Sequence, residues 1–191
     1  MSEETLIRHC APTLAGIKTG NLFRCAYLDR REMIEDVRRW NTALSPKGLR
    51  LIPLQYNKGS AMIYLFRPAR LQADLNDDMA CALLQARGYA TQTCSRCIAC
   101  LMDRLRQSAE FPHEIGLFLG YPPADVKGFI EGKPCKCTGL WKVFESDEAE
   151  AQKYFARCRH CTQAYLRRRE EGWDLSRLTI QPRQFSYKSI A

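Results

Sequence analysis

Residues 49–67 contain the pattern that most restricts how this chain can fold. Two runs of β-prone residues, 49–56 and 61–67, flank the turn-forming segment 57–60, and this arrangement predicts a β-hairpin. The second run is almost wholly apolar, which is typical of a strand buried on both faces. Pro53 cannot donate a ladder hydrogen bond, so we expect the first run to be an edge strand.

Helical patterns around the hairpin indicate the fold class. Apolar residues recur at helical spacing from about Asp29 to Leu44. Further segments are predicted as helices at about 76–87, 93–107, 112–119 and 122–130, with a long helix capped by Ser146 and a third short strand at 139–144. Because an isolated hairpin is marginal in water, it needs a third strand and a helical layer. The sequence therefore predicts an α+β fold, a small antiparallel sheet of about three strands covered by about six helices.

Length and hydropathy restrict the domain organisation. A chain of 191 residues is about one domain, which we assign to residues 1–180, with 181–191 as a C-terminal tail. No run of about 18 apolar residues is present, and the first residues lack the basic and apolar regions of a signal peptide. We therefore expect a cytoplasmic protein with no membrane segment.

The formal net charge of +8 raises the question of a polyanionic partner. Basic residues mostly alternate with acidic ones, as in 29–32 and 167–171. This interleaving suits solvated helix faces better than a surface that follows a phosphate backbone. Nucleic acid is therefore not the expected partner.

Ten cysteines in a chain of this kind indicate core thiols, a metal site or redox chemistry. Cys158 and Cys161 lie on the long last helix, where Cys158 falls on the apolar stripe, and we interpret them as core thiols. Cys94, Cys97 and Cys100 have a spacing that recurs around zinc and iron–sulfur clusters. However, the apolar stripe of a helix continues through that segment, so we favour helix packing over a metal site as the reason for these three cysteines.

Cys135 and Cys137 differ because glycine and proline on both sides predict a loop. A tight turn can aim both thiolates at one ion, and Lys133 and Lys136 would favour the thiolate form. We therefore take Cys135 and Cys137 as the candidate metal ligands. The cofactors considered are iron, an iron–sulfur cluster and zinc, with a plain surface loop as the alternative.

Two stretches carry a family resemblance. These are 9–23, HCAPTLAGIKTGNLF, and 111–130, FPHEIGLFLGYPPADVKGFI, supported by 64–68 and 141–144. Together they resemble the bacterial DUF3793 family, uncharacterised proteins of about this length found mainly in anaerobic Firmicutes. The resemblance supplies no known catalytic or binding residue. It implies a role in iron or redox physiology, with a flavodoxin-like redox partner as one expectation.

The polar residues inside these stretches are the candidate ligand-binding residues. They are Lys18, Asn21, Arg67, His113, Glu114 and Lys142. Lys18, Arg67 and Lys142 are cations within apolar segments. If the fold brings them together, they could neutralise a phosphate or carboxylate. His113 could act as an acid or base, and Glu114 could orient it or ligate a metal. The alternative is that these residues cap helices or extend along apolar surface.

Three functional hypotheses follow. The first is a protein that binds a small anionic ligand or a metal in iron or redox metabolism. The second is a thiol-dependent enzyme that uses Cys10 as nucleophile and a histidine as base, which makes Cys10, His113 and Glu114 the candidate catalytic residues. The third is an adaptor that binds a protein or nucleic acid through basic helices. A zinc-protease helix is excluded because His113-Glu114 lacks a second histidine, and no phosphate-binding glycine loop is present.

Overall fold

The first half of the chain forms the sheet and three of the helices around it. The computed structural model describes residues 1–107 and 110–181. Its first elements, in chain order, are α1 (Glu3–Leu14), β1 (Gly20–Ala26), α2 (Arg30–Leu44), a short 3-10 helix (Ser45–Lys47), β2 (Arg50–Asn57), β3 (Ser60–Phe66) and α3 (Pro68–Leu75).

The second half is mainly helical. Its elements are α4 (Asp78–Gln85), α5 (Cys94–Gln107), α6 (Ile115–Phe118), α7 (Pro123–Ile130), β4 (Cys137–Thr138), β5 (Lys142–Val143), α8 (Glu148–Glu170) and α9 (Leu175–Leu178). In the part of the chain that the structure describes, no helix is both long and apolar enough to cross a membrane.

The sheet confirms the hairpin and the α+β class. Its strand order is β1-β3-β2, and both pairings are antiparallel. The apolar strand β3 is central and β2 is an edge strand, as predicted. The register shifts between Pro53 and Gln55, where a β-bulge accommodates the missing N–H of proline.

The third strand of the sheet was predicted in the wrong place. It is β1, near the N-terminus, whereas the predicted strand at 139–144 contributes only β5, which pairs with β4 in a separate two-stranded sheet. Strand β1 contains glycine, asparagine and arginine, which have little β-propensity. Its pairing with the buried strand β3 stabilises it instead.

Two helix boundaries also differ from the predictions. The helix predicted at 76–87 is α4, which begins at Asp78 because Asp77 caps it by accepting a hydrogen bond from the N–H of Ala80; the preceding helix, α3, was not predicted. Asp147, not Ser146, caps α8 by accepting a hydrogen bond from Glu150 N. Both differences reflect the strong preference of aspartate for the N-cap position.

Helices cover both faces of the sheet. Alternate residues of β3 point to opposite sides. Tyr64 and Phe66 pack with residues of α3 to α7, and Ile63 and Leu65 pack with residues of α1, α2 and α9. A small third cluster joins β5 to α8 through Val143 and Phe155. This last cluster anchors the 137–146 loop region beside α7.

Candidate functional site

A cavity of about 230 Å³ lies between the segment that contains α6 and α7 and the loop that contains β5. Aromatic and aliphatic side chains form most of its wall: Phe111, Ile115, Tyr121, Val126, Phe129 and Trp141. His113 and Lys142 also line it. An apolar cavity with a few polar groups is the usual form of a small-molecule site.

Close packing fixes the inner wall of this cavity. A Cβ atom added to Gly116 would lie 2.9 Å from Val126 Cγ2, and one added to Gly128 would lie 2.6 Å from Phe144 Cβ. Glycine at these two positions therefore lets α6 approach α7, and lets α7 approach the loop after β5. The backbone that carries the aromatic wall is held at van der Waals distance by these two contacts.

Asp125 ties the β5 loop to α7. Its Oδ1 accepts hydrogen bonds from the backbone N–H groups of Phe144, Glu145 and Ser146 at 2.8–3.0 Å, and its Oδ2 accepts one from Trp141 Nε1 at 2.8 Å. Burial favours the neutral acid and by itself would raise the pKa of Asp125. The hydrogen bonds from Ser146, Phe144 and Glu145 outweigh this effect and lower the pKa. Asp125 is thus a structural anion that orients the Trp141 indole along the cavity wall.

Lys142 and His113 bring an ammonium group and an imidazole ring to the rim. The Lys142 Nζ lies 5.4 Å from the centroid of the Phe129 ring, and the His113 ring meets the same ring edge-on at 4.9 Å. Both side chains are exposed, so their polar atoms can reach a ligand that enters from solvent. Two sequence candidates, which are 29 positions apart in the chain, therefore line one cavity.

Lys18 is close to this cavity but separated from it by an aromatic ring. It is 3% exposed, and its Nζ lies 5.0 Å from the centroid of the Tyr121 ring, which is part of the cavity wall. Burial lowers the pKa of Lys18 to about 8, although the nearby thiols of Cys158 and Cys10 oppose the shift. Lys18 therefore acts on the cavity only through Tyr121.

Arg67 and Asn21 make structural hydrogen bonds. The buried Arg67 guanidinium donates to the carbonyl oxygens of Thr13, Leu14 and Ile180, each at 2.8 Å. Asn21 Oδ1 accepts a 2.6 Å hydrogen bond from the Thr13 hydroxyl. Both contacts hold the end of α1 against the sheet, away from the residues that line the cavity.

Glu114 points away from the cavity lining into an ion cluster of its own. Its Oε1 accepts hydrogen bonds from Arg104 Nε at 2.7 Å and from the Tyr89 hydroxyl at 2.9 Å. Arg87 Nε lies 3.5 Å from its Oε2. Burial, followed by the neighbouring Glu114 carboxylate, raises the pKa of Tyr89. This cluster fixes α6 to the α4–α5 region.

Cys10 has the environment of a core thiol. It is fully buried, and burial raises its pKa despite the nearby Lys18 ammonium. His9 instead stacks on Phe23 at 4.9 Å, and His113 is in the cavity wall. Among the described residues, Cys10 has no hydrogen bond to a histidine, so this geometry gives no support to the thiol-dependent enzyme hypothesis.

The candidate metal ligands are near one another in the chain, and Cys137 lies within hydrogen-bond reach of Glu148 and Gln152. Cys135 is exposed and Cys137 is half-buried in β4. Across residues 1–107 and 110–181, no group of three or more His, Cys, Asp or Glu side chains is arranged to hold a metal ion. Cys158 packs in the core, and Cys161 is half-buried beside it.

Comparison with known proteins places the chain in a family. A family model described as "Protein of unknown function (DUF3793)" matches residues 6–179. The chain belongs to the DUF3793 family. The resemblance carried by 9–23 and 111–130 is therefore confirmed. No curated protein and no solved structure matches this DUF3793 member.

Sequence reasoning missed the aromatic wall of the cavity in this DUF3793 protein. Tyr121, Phe129 and Trp141 all lie in the stretches that carry the family resemblance, but only their polar neighbours were selected. The missed signal was the density of aromatic residues around His113 and Lys142. Asp125 was missed because an aspartate near the start of a helix is usually exposed to solvent and only stabilises the helix N-terminus by its charge.

Proposed function

We propose that this protein binds a small anion with a flat, apolar body in the cavity lined by His113 and Lys142. The observation that carries the proposal is the convergence of the Lys142 ammonium and the His113 imidazole on one aromatic-walled cavity. The proposal develops the small-anion part of the first hypothesis and moves the site away from Arg67, Asn21 and Glu114, which make hydrogen bonds within the protein and do not line the cavity.

The wall chemistry supports a flat ligand. Tyr121 and Trp141 lie against each other with ring centroids 5.2 Å apart, and Phe129 extends from α7 at the same cavity. Aromatic walls favour planar ligands through stacking and edge contacts. A volume of about 230 Å³ is below the range of about 300–1,000 Å³ that is usual for drug-sized ligands. The proposed ligand is therefore a one- or two-ring molecule.

The rim chemistry supports a negative charge on that ligand. Lys142 carries an ammonium group beside the Phe129 ring, and the ring nitrogens of His113 can donate a hydrogen bond to an anion. The one acidic side chain among the lining residues, Asp125, is occupied by four hydrogen bonds from the protein. A carboxylate or a similar anion therefore meets attraction at the rim.

The test uses a matched pair of probes, 2-naphthoate and the neutral 2-naphthamide, titrated by calorimetry. We expect the naphthoate to bind about 5–10-fold more tightly, which corresponds to about 1 kcal/mol for one partly exposed charge contact. In Lys142→Gln the preference for the anion should fall, and in Lys142→Gln combined with His113→Gln it should disappear, while the affinity for the amide stays unchanged. Lys127→Gln is the control, because Lys127 is an exposed cation on α7 outside the cavity lining.

Two results would contradict the proposal. One is equal affinity for the two probes in the unmodified protein. The other is an anion preference that survives in Lys142→Gln combined with His113→Gln. Higher salt should weaken only the naphthoate complex, because the rim charges are exposed to solvent.

A further inference from the structure

A group of cysteines on α5 and α4 is the second chemically unusual feature of the molecule. Cys94 and Cys97 lie in the first turn of α5, and Cys100 lies in the next turn. The Cys97 thiol is within electrostatic range of the thiols of Cys94, Cys100 and Cys81 on α4. All of these cysteines are unpaired thiols.

Exposure divides the group into a buried centre and an accessible margin. Cys97 is fully buried, whereas Cys94, Cys100 and Cys81 are half-buried. A Cys-x-x-Cys pair with an accessible first thiol and a buried second thiol is suited to thiol–disulfide exchange. The first thiol attacks an external disulfide, and the second resolves the mixed disulfide from inside the protein.

Cys94 is the margin thiol that is best placed to pair with Cys97. It is the first residue of α5, where the backbone has no preceding helical turn to restrain it. Its N–H donates to Gln72 Oε1 at 2.8 Å, so a side chain of α3 holds it. Positions i and i+3 on a helix place Cβ atoms about 5–6 Å apart, and a small adjustment of the first turn brings them within disulfide range.

The other candidate partners of Cys97 are more constrained. Cys100 lies in the interior of α5, where the helical hydrogen bonds hold its position. The Cys81 thiol is already 3.4 Å from the Thr91 hydroxyl, with which it forms a hydrogen bond. A metal ion is not favoured as the occupant, since the described residues contain no group of three donors arranged for one.

We propose that Cys94 and Cys97 form a redox-active dithiol that exchanges with low-molecular-weight disulfides. The Cys94 thiolate attacks one sulfur of RSSR, giving the mixed disulfide Cys94–S–S–R and releasing RS⁻. Cys97 then loses its proton and attacks the Cys94 sulfur, which expels the second RS⁻ and forms the Cys94–Cys97 bond. Two electrons pass from the dithiol to the disulfide, and the two protons leave with the released thiols as 2 RSH.

The test equilibrates the full-length protein with excess glutathione disulfide without oxygen, alkylates the remaining thiols, and analyses a tryptic digest. Trypsin cleaves after Arg87, Arg96 and Arg104, so the disulfide joins peptide 88–96 to peptide 97–104. We expect this cross-linked pair to form, with fragmentation assigning it to Cys94 and Cys97, and to disappear after dithiothreitol. The exposed Cys135 serves as an internal reference that gains only a single glutathione.

Variants distinguish the two roles. Cys97→Ser should leave Cys94 as a stable glutathione mixed disulfide, and Cys100→Ser, the matched control, should retain the cross-link. Because Cys97 is buried, substituting it risks a loss of stability, so Cys94→Ser provides a second test. In that variant Cys97 should react at least 10-fold more slowly than Cys94 does in the unmodified protein. Two free thiols after equilibration, or a Cys94 that carries only glutathione in the unmodified protein, would overturn the proposal.

Discussion

At the scale of single residues, Lys18 is the side chain with the most unusual environment. It is nearly fully buried between the ring of Tyr121 and the thiols of Cys10 and Cys158. No carboxylate is paired with its ammonium among the described residues. The burial that lowers its pKa to about 8 also means that its charged form costs stability in the folded state.

We predict that Lys18→Met is more stable than the unmodified protein near pH 7. Between pH 8 and 10.5 the folded protein loses the Lys18 proton before the unfolded chain does. The free energy of unfolding of the unmodified protein therefore increases as the pH rises. The advantage of Lys18→Met should therefore shrink by about 2 kcal/mol from pH 7 to pH 9.5. Urea denaturation of both proteins under reducing conditions measures this difference.

Comparing the two proteins at each pH cancels the titration of the other groups. Lys58→Met, which removes an exposed lysine of the hairpin turn, controls for the loss of a positive charge in general. If the stability difference between Lys18→Met and the unmodified protein is constant with pH, or grows as the pH rises, burial does not destabilise the charged form of Lys18.

The sequence identified individual candidate residues, but it did not show which of them lie close together in the folded protein. Lys18, Arg67, His113 and Lys142 could be selected because a charge in an apolar segment is rare enough to need a reason. Which of them converge depends on tertiary packing that no local pattern contains. Arg67 illustrates this, because its acceptors are carbonyl groups from two separate segments, at residues 13–14 and at Ile180, and carbonyl groups have no signature in the sequence.

At the scale of secondary-structure elements, the contact between α7 and the loop after β5 determines the shape of the cavity. Gly128 faces Phe144 with no room for a side chain, and Asp125 accepts three backbone hydrogen bonds from that loop. The cavity wall residues Phe129 and Trp141 lie on the two sides of this contact. The shape of the binding cavity therefore depends on this contact between α7 and the loop after β5.

Gly128→Ala should destabilise the protein by about 1–2 kcal/mol. The added methyl group forces Phe144 to move, and the higher helix propensity of alanine offsets only part of the cost. Denaturation measures the change, and naphthoate affinity should fall with it. Lys127→Ala, on the exposed neighbouring position with a long ion pair to Glu131, should change stability by less than about 0.5 kcal/mol. A Gly128→Ala protein as stable as the unmodified one would contradict the tight contact.

Elements with a complete local signal were predicted well. The hairpin, its edge strand, α2 and α5 were found because apolar periodicity, turn residues and Pro53 agreed with one another. Helix α1 was not predicted, since it contains Pro12 within its last turn, and proline normally ends a helix. Strand β1 was missed because its stability comes from pairing with β3 rather than from its own residues.

At the scale of the whole molecule, two basic side chains fasten the C-terminal part of the described chain to the N-terminal part. Arg67 donates to the carbonyl of Ile180 and to two carbonyls at the end of α1. Lys47 donates to the carbonyls of Ser176 and Thr179, and the Ile180 N–H donates to Leu14 O at 3.1 Å. These cations thus complete the helical layer formed by α1, α2 and α9.

Arg67→Lys should loosen this attachment. A lysine cannot reproduce the planar fork that serves three carbonyl groups, and unmatched buried carbonyls should cost about 2–4 kcal/mol. Amide hydrogen exchange should accelerate at Ile180. Arg70→Lys is the control, because the more exposed Arg70 donates a single 2.7 Å hydrogen bond to Gly16 O. Equal exchange at Ile180 in both variants would argue against Arg67 as the fastening residue.

The most direct test of the proposed binding site is an NMR titration of the indole N–H signals with 2-naphthoate. The chain has three tryptophans, and Trp141, which is assigned through Trp141→Phe, lines the cavity while Trp40 and Trp173 lie in a different cluster. We predict that the Trp141 signal shifts with a saturating dependence on naphthoate while the other two stay in place. A shift confined to Trp40 or Trp173, or no shift at saturating naphthoate, would contradict binding in the cavity of His113 and Lys142.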